Sequence, residues 1–176
     1  MLAAAIRANL HVLQQGHDLL NALEPASYVA RVPACFNSTP GGHLRHVIDH
    51  YLGLLDGLGG GRVDYECRSR DPRIEGETDY AAAIIAGIMD RLGALLEAED
   101  RMIAVRAESA GDAADAADAW GDTSLLRELE FLLSHTVHHY ALIAIMCRLL
   151  GHEPAADFGM APSTLKYRES RALAAS

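Results

Sequence analysis

The sequence is poor in aromatic residues, in cysteine and in positive charge. Only 6% of its 176 residues are aromatic, with a single tryptophan, while half are apolar and alanine is abundant. That balance suits helices better than a β-sandwich, whose strands draw on aromatic and β-branched side chains. Lys and Arg number 15 against 24 Asp and Glu, a formal net charge of -9. An acidic chain repels the phosphate backbone that supplies most nucleic-acid affinity, which argues against a nucleic-acid partner and, for the same reason, against a membrane surface. Cys35, Cys67 and Cys147 form an odd set with no CxxC spacing, as expected in a reducing compartment rather than in a disulfide framework.

Long uncharged apolar runs are absent as well. None reaches the roughly 18 residues that cross a bilayer, and the opening MLAAAIRANLHVLQQGHDLL lacks the basic, apolar and small-residue order of a signal peptide. A cytoplasmic protein is the expectation. The length fits one domain over residues 1–176 with a sizeable core.

What is present is helical periodicity. Leu2, Ile6, Leu10, Leu13, Leu20 and Leu23 recur at helical spacing up to Pro25, which predicts a first helix over residues 2 to 23. Ser38 or Thr39 caps a second that carries Pro40 in its first turn and runs to about Leu58, where GLGGGR stops it. Residues 59 to 77 read as a turn-rich, charged connection. Thr78 opens a third helix through AAAIIAGIMDRLGALLEA, RMIAVRA reads as extended, and SAGDAADAADAWGD reads as an acidic loop. Its Asp112, Asp115 and Asp118 lack the Gly and Glu placements of a calcium loop. A fourth helix opens at Asp122, Thr123 or Ser124 and runs to Leu150, ended by Gly151 and Pro154, and the tail APSTLKYRESRALA can add a short one. The expected class is all-α, a four-helix bundle with long crossover loops.

Histidine is concentrated in two of these helices. On the fourth, LSHTVHHY places His135, His138 and His139 in five residues. Advancing about 100° per residue and taking Arg127, Glu130, Ser134 and Arg148 as the solvent side, His139 falls within about 30° of the core-facing pole and His135 within about 70°, whereas His138 points outward. Two inward imidazoles four residues apart can share one cation, provided a third ligand comes from elsewhere. GGHLRHVIDHYL on the second helix offers His43, His46 and His50 on one flank. With Arg45, Asp49 and Asp56 taken as solvent side, His43 and His50 rank nearer the core pole and His46 sits at the bundle seam. Each histidine alone can be a hydrogen-bonded core residue; inward sets on two helices point to a metal. Asp49 or Glu128 either orients a ring or is simply a solvated carboxylate.

STPGGHLRHVIDHY and ELEFLLSHTVHHYALI, in this order and separation, resemble the DinB-like superfamily of metal-binding four-helix bundles, and the helix plan extends the resemblance over nearly the whole chain. In that family one histidine early in the second helix joins two spaced by four on a later helix. Matching the motifs places these on His46, His135 and His139, with His50 as an alternate or fourth ligand. The resemblance implies a divalent cation, zinc or nickel, and a homodimer. It also implies either transfer of a low-molecular-weight thiol to an electrophile or hydrolysis of a small-molecule substrate. Three imidazoles leave a cation with an open position for thiol or water, so either chemistry fits. The alternative is a non-catalytic, stress-linked metal-binding or dimerising module.

The other candidates weigh less. Cys67 and Cys147 have no base beside them in sequence, and Cys35 precedes the second helix. Trp120 and Tyr140 read as packing residues, Tyr140 with a pocket-lining alternative. Lys166, Tyr167 and Arg168 belong either to a packed terminus or to a lid over the open end of the bundle.

Overall fold

One face of the first segment carries Leu2, Ile6, Val12, Leu13 and Leu20, all buried, and they form α1 over Leu2–Ala22 in the computed structural model, which describes residues 1–106 and 119–174. Leu23 leaves the helix in an extended conformation ahead of Pro25. The following loop is more structured than its two prolines suggest. It contains a single helical turn, α2 (Pro25–Tyr28), a 3-10 turn at Pro33–Cys35 and a Val32–Ser38 bridge that closes it.

The second long helix, α3 (Pro40–Gly57), starts as its sequence predicts: Thr39 Oγ1 accepts the Gly42 N–H at 2.9 Å and Pro40 occupies the first turn, where its missing N–H costs nothing. The third, α5 (Thr78–Gly93), takes Thr78 as its first residue rather than its cap, and its end frays into turns before Ala98. Ser124 caps α6 (Leu125–Leu149), accepting the Arg127 N–H, and Gly151 at φ 86 terminates it. The tail forms α7 (Pro162–Ala174). Each of α1 and α3 packs against both α5 and α6, so the four long helices enclose one apolar cluster from Leu2 to Phe158. Among the described residues no helix is long and apolar enough to cross a membrane.

A small sheet is the main addition to the expected bundle. β1 (Arg62–Val63) runs parallel to β2 (Met102–Arg106), which pairs antiparallel with β3 (Trp120–Ser124) in the register Met102 to Ser124. The extended reading of RMIAVRA is therefore right, but WGDTS is strand and not loop. Asp112, Asp115 and Asp118 lie outside the described residues. The sheet anchors both ends of the long connections, and it starts α6 directly from β3. Beyond β1 the chain returns over α3 and forms α4 (Pro72–Gly76). Gly41 allows α4 to sit against the start of α3, since a Cβ there would meet the Glu75 carbonyl carbon at 3.0 Å, and Arg45 Nε bonds Glu75 at 2.8 Å. This route carries residues 64–71 across the histidine flank of α3.

Candidate metal centre

The histidine flank of α3 faces that of α6, and the contacts are between ring nitrogens. His46 Nε2 stands 3.1 Å from His135 Nε2, His139 Nε2 stands 3.1 Å from the same atom, and His43 Nδ1 stands 2.9 Å from His139 Nδ1. His50 joins with its ring centroid 4.3 Å from that of His135. His138 is exposed, as the helical count predicts. His46, His50 and His135 each offer a nitrogen within 4.8 Å of the other two. This trio and the motif-matched His46, His135 and His139 share an edge and differ in whether His50 or His139 completes them.

The protons of this cluster can be counted. Burial first, and then the neighbouring imidazoles, push His46, His135 and His139 down to about 3, and burial with His138 lowers His43, so all four rings are neutral at pH 7. A neutral imidazole has one N–H and one lone pair. Arg68 Nη1 donates to His46 Nδ1 at 3.1 Å, so His46 carries its proton on Nε2 and directs it at His135 Nε2. Ser38 gives its hydroxyl proton to the Cys35 carbonyl, so it accepts from His43 Nε2, and His43 Nδ1 then accepts from His139 Nδ1. His139 Nε2 is left with a lone pair facing the lone pair of His135 Nε2.

His135 Nε2 thus lies 3.1 Å from each of two other Nε2 atoms, with a single proton among the three. The arrangement is poor as a hydrogen-bond network and good as a donor set. Tetrahedral nitrogen ligands about 2.0–2.1 Å from a cation stand roughly 3.3 Å apart, close to the two 3.1 Å contacts. His50 Nδ1 donates to the His46 carbonyl at 2.7 Å, which keeps the His50 lone pair on Nε2. The residues therefore fit a divalent cation. One feature falls short of a complete outer layer: His135 Nδ1 is buried without a hydrogen-bond partner, where a ligating histidine ordinarily donates to an acceptor.

Aromatic walls position the rings. Tyr65 stacks on His50 with centroids 5.3 Å apart, and Phe131 stacks on His135 at 5.6 Å. Burial, with the Glu128 carboxylate beside it, raises the Tyr65 phenol, which stays protonated and donates to Glu128 Oε2 at 2.7 Å. Glu128, whose other oxygen accepts from Thr123, thus orients His50 through Tyr65 instead of holding a ring itself. Asp49 is not on the solvent side. It is 3% exposed, with Oδ2 3.7 Å from Arg45 and Oδ1 without a partner, and burial raises its carboxyl against the pull of Arg45 and Arg68.

Arg68 and Tyr65 are the residues that sequence reasoning missed. The available signal was DYECRSRD itself, an Asp turn with two arginines directly after a histidine-bearing helix: Asp64 Oδ1 accepts the N–H groups of Glu66 and Cys67 and turns the chain back over α3. The remaining candidates lie elsewhere. Burial pushes the Cys147 thiol up to about 11, and Cys35 is buried as the last residue of the 3-10 turn. Tyr140 is fully buried against Phe158, and Trp120 lies under Arg62 in the sheet. Pro162 and Leu165 of the tail line a groove with Arg7, His11 and Val137, on α1 and α6.

A family model described as the DinB superfamily matches residues 11–143, well over half of the chain. Among curated proteins, FK506-binding protein 5 of Rhizopus delemar is 41% identical over 56 residues, which make up 32% of this chain. The match spans only 14% of that protein's length. No solved structure matches significantly.

Proposed function

The chain belongs to the DinB superfamily, and from that membership and its imidazole cluster we propose a divalent-metal-dependent enzyme that transfers a low-molecular-weight thiol to an electrophile or hydrolyses a small substrate. The observation that carries this reading is that His46 Nε2 and His139 Nε2 each stand 3.1 Å from His135 Nε2, with one proton among the three. Those three are the proposed ligands, with His50 as an alternate or fourth. Neutral imidazole donors favour zinc or nickel. The cation supplies the charge that lets a thiol or a water lose its proton near neutral pH.

The protein's own groups do the rest. Phe131 and Tyr65 fix the ring planes of His135 and His50. Ser38, through His43, holds the His139 tautomer. Beside His43 the cluster opens between Gly42 and His139, a route for a small molecule. One domain over residues 1–176 in the cytoplasm accords with the charge and the cysteine usage. A homodimer completes the proposal, with exposed Ile145 and Leu149 on α6 as the residues to test for contact.

A second reading has its own support. His50 and His43 crowd the cluster with more imidazoles than an open site needs, as in a closed structural centre of a non-catalytic module. Elemental analysis of the purified protein, followed by a thiol-conjugation and esterase screen, tests the proposal. One zinc or nickel per chain with turnover in the screen is expected, and a protein that takes up neither metal rules the reading out. A bound metal that exchanges no external ligand favours the structural module.

A further inference from the structure

Arg68 is an under-satisfied charge beside the cluster, with the buried Asp49 carboxylate within range of its field. Its side chain is 11% exposed, its Nε is buried without a partner, and Glu66 lies 3.7 Å from Nη2, beyond hydrogen-bonding reach and itself half exposed. A buried guanidinium normally has a carboxylate in a bonded geometry, because an unpaired buried charge is strongly destabilising. Here Nη1 has the His46 Nδ1 lone pair at 3.1 Å. Arg106, the other guanidinium at the cavity, is already paired with Asp64 at 3.0 Å. The buried carboxylate of Asp49 lies in the neighbouring cavity that Arg68 also borders.

The His46 contact is incompatible with ligation. If His46 binds a cation through Nε2, its proton must move to Nδ1; if it binds through Nδ1, the lone pair is taken directly. Either way the acceptor that Arg68 uses disappears. The released guanidinium borders a cavity of about 190 Å³ lined by His46, His50, Tyr65, Phe131 and His135, with half-exposed Glu66 at its edge. That is room for a small ligand.

We propose that Arg68 is the anion-recognition residue of this centre: cation binding releases it from His46, and it then holds the carboxylate of a small ligand whose second donor reaches the cation. The assignment rests on the metal-dependent reading above and adds the substrate class, a small molecule bearing a carboxylate. Planar, with parallel N–H donors, the guanidinium suits a carboxylate better than a neutral hydroxyl. Cation and carboxylate therefore bind with positive coupling, each favouring the other.

The test is titration of the cobalt(II)-loaded protein with 3-mercaptopropionate and with the neutral 3-mercapto-1-propanol, followed by sulfur-to-cobalt charge-transfer absorption. The parent protein is expected to prefer the carboxylate thiol, and R68Q to lower that preference ratio by at least about tenfold, the scale of a charge-assisted hydrogen bond. R68K, which keeps the charge and loses the fork, should fall between them, and it serves as the comparison if R68Q does not fold. An unchanged ratio in the variant overturns the assignment, as does pairing of Arg68 with Asp49 that leaves the parent without a preference. A protein that takes up no cobalt refutes the imidazole centre and this assignment together, whereas cobalt uptake without thiol discrimination refutes the role of Arg68 alone.

Discussion

His46 and His135 are 89 residues apart in the chain and 3.1 Å apart at Nε2. The contact is the seam between α3 and α6, made by two rings that burial keeps neutral. Neither ring is part of the apolar cluster that holds the bundle together, which runs through Leu44, Ile48, Leu129 and Leu132 on the same two helices. The imidazole cluster and the helix packing are therefore separable. The double variant His135→Ala/His139→Ala should bind no divalent metal and keep its far-UV helicity, read by elemental analysis and circular dichroism. Full metal occupancy in the double variant would sink the ligand assignment.

The same depressed basicity makes the metal-free protein acid-sensitive. The ordinary histidine value of 6.5 applies to the unfolded chain, and about 3 to His46, His135 and His139 in the folded one. Below pH 6.5 the unfolded chain takes up protons that the folded state refuses, so stability is full above that pH and is lost as the pH falls toward 3. Thermal melts in a chelator from pH 7 to pH 5, above the range where ordinary carboxylates titrate, should show Tm falling by several degrees. Replacing all three rings with glutamine should flatten that slope, and an equally steep one would show that other groups cause it.

How much of this could be read from the sequence differs by kind of interaction. Local and periodic features were legible: the Thr39–Pro40 start of α3, the Ser124 cap and Gly151 terminator of α6, and the inward His135 and His139 with outward His138. Each depends on residues within one or two turns. Asp49 was misplaced because a carboxylate on a helix is expected to face water, and the arginines that accompany it inward, Arg45 and Arg68, include one from a separate segment. β3 escaped notice because WGDTS has little intrinsic strand preference and is held by its register with β2. The reach of Arg68 to His46 depends on the turn at Asp64, which no periodicity encodes.

A buried polar link ties three helices together inside the core. Tyr51 Oη donates to Asn9 Oδ1 at 2.6 Å and lies 3.2 Å from Thr136 Oγ1, while Asn9 Nδ2 donates to the Ala5 and Leu129 carbonyls. All three side chains are fully buried. Tyr51→Phe leaves Asn9 Oδ1 without a donor where water cannot replace it, which costs about 1–3 kcal/mol. The urea midpoint should fall by the corresponding amount with an unchanged m-value, and metal stoichiometry should stay that of the parent.

Two glycines should respond to one substitution with opposite signs. Glycine inside a helix is about 1 kcal/mol less favourable than alanine, so Gly→Ala stabilises wherever space allows. Gly87 in α5 is exposed, with nothing within 4 Å of a Cβ placed there, and Gly87→Ala should gain up to about 1 kcal/mol. Gly16 in α1 faces the ring of Tyr140, and a Cβ would stand 2.8 Å from Cζ and closer still to the hydroxyl. Tyr140 cannot yield easily, being fully buried and stacked on Phe158 with centroids 4.6 Å apart. Overpacking of this kind costs about 1–3 kcal/mol and outweighs the propensity gain. Gly16→Ala should therefore lower stability in urea denaturation while Gly87→Ala raises it; a gain at both positions would mean that α1 and α6 are not packed as closely as the Gly16–Tyr140 contact requires.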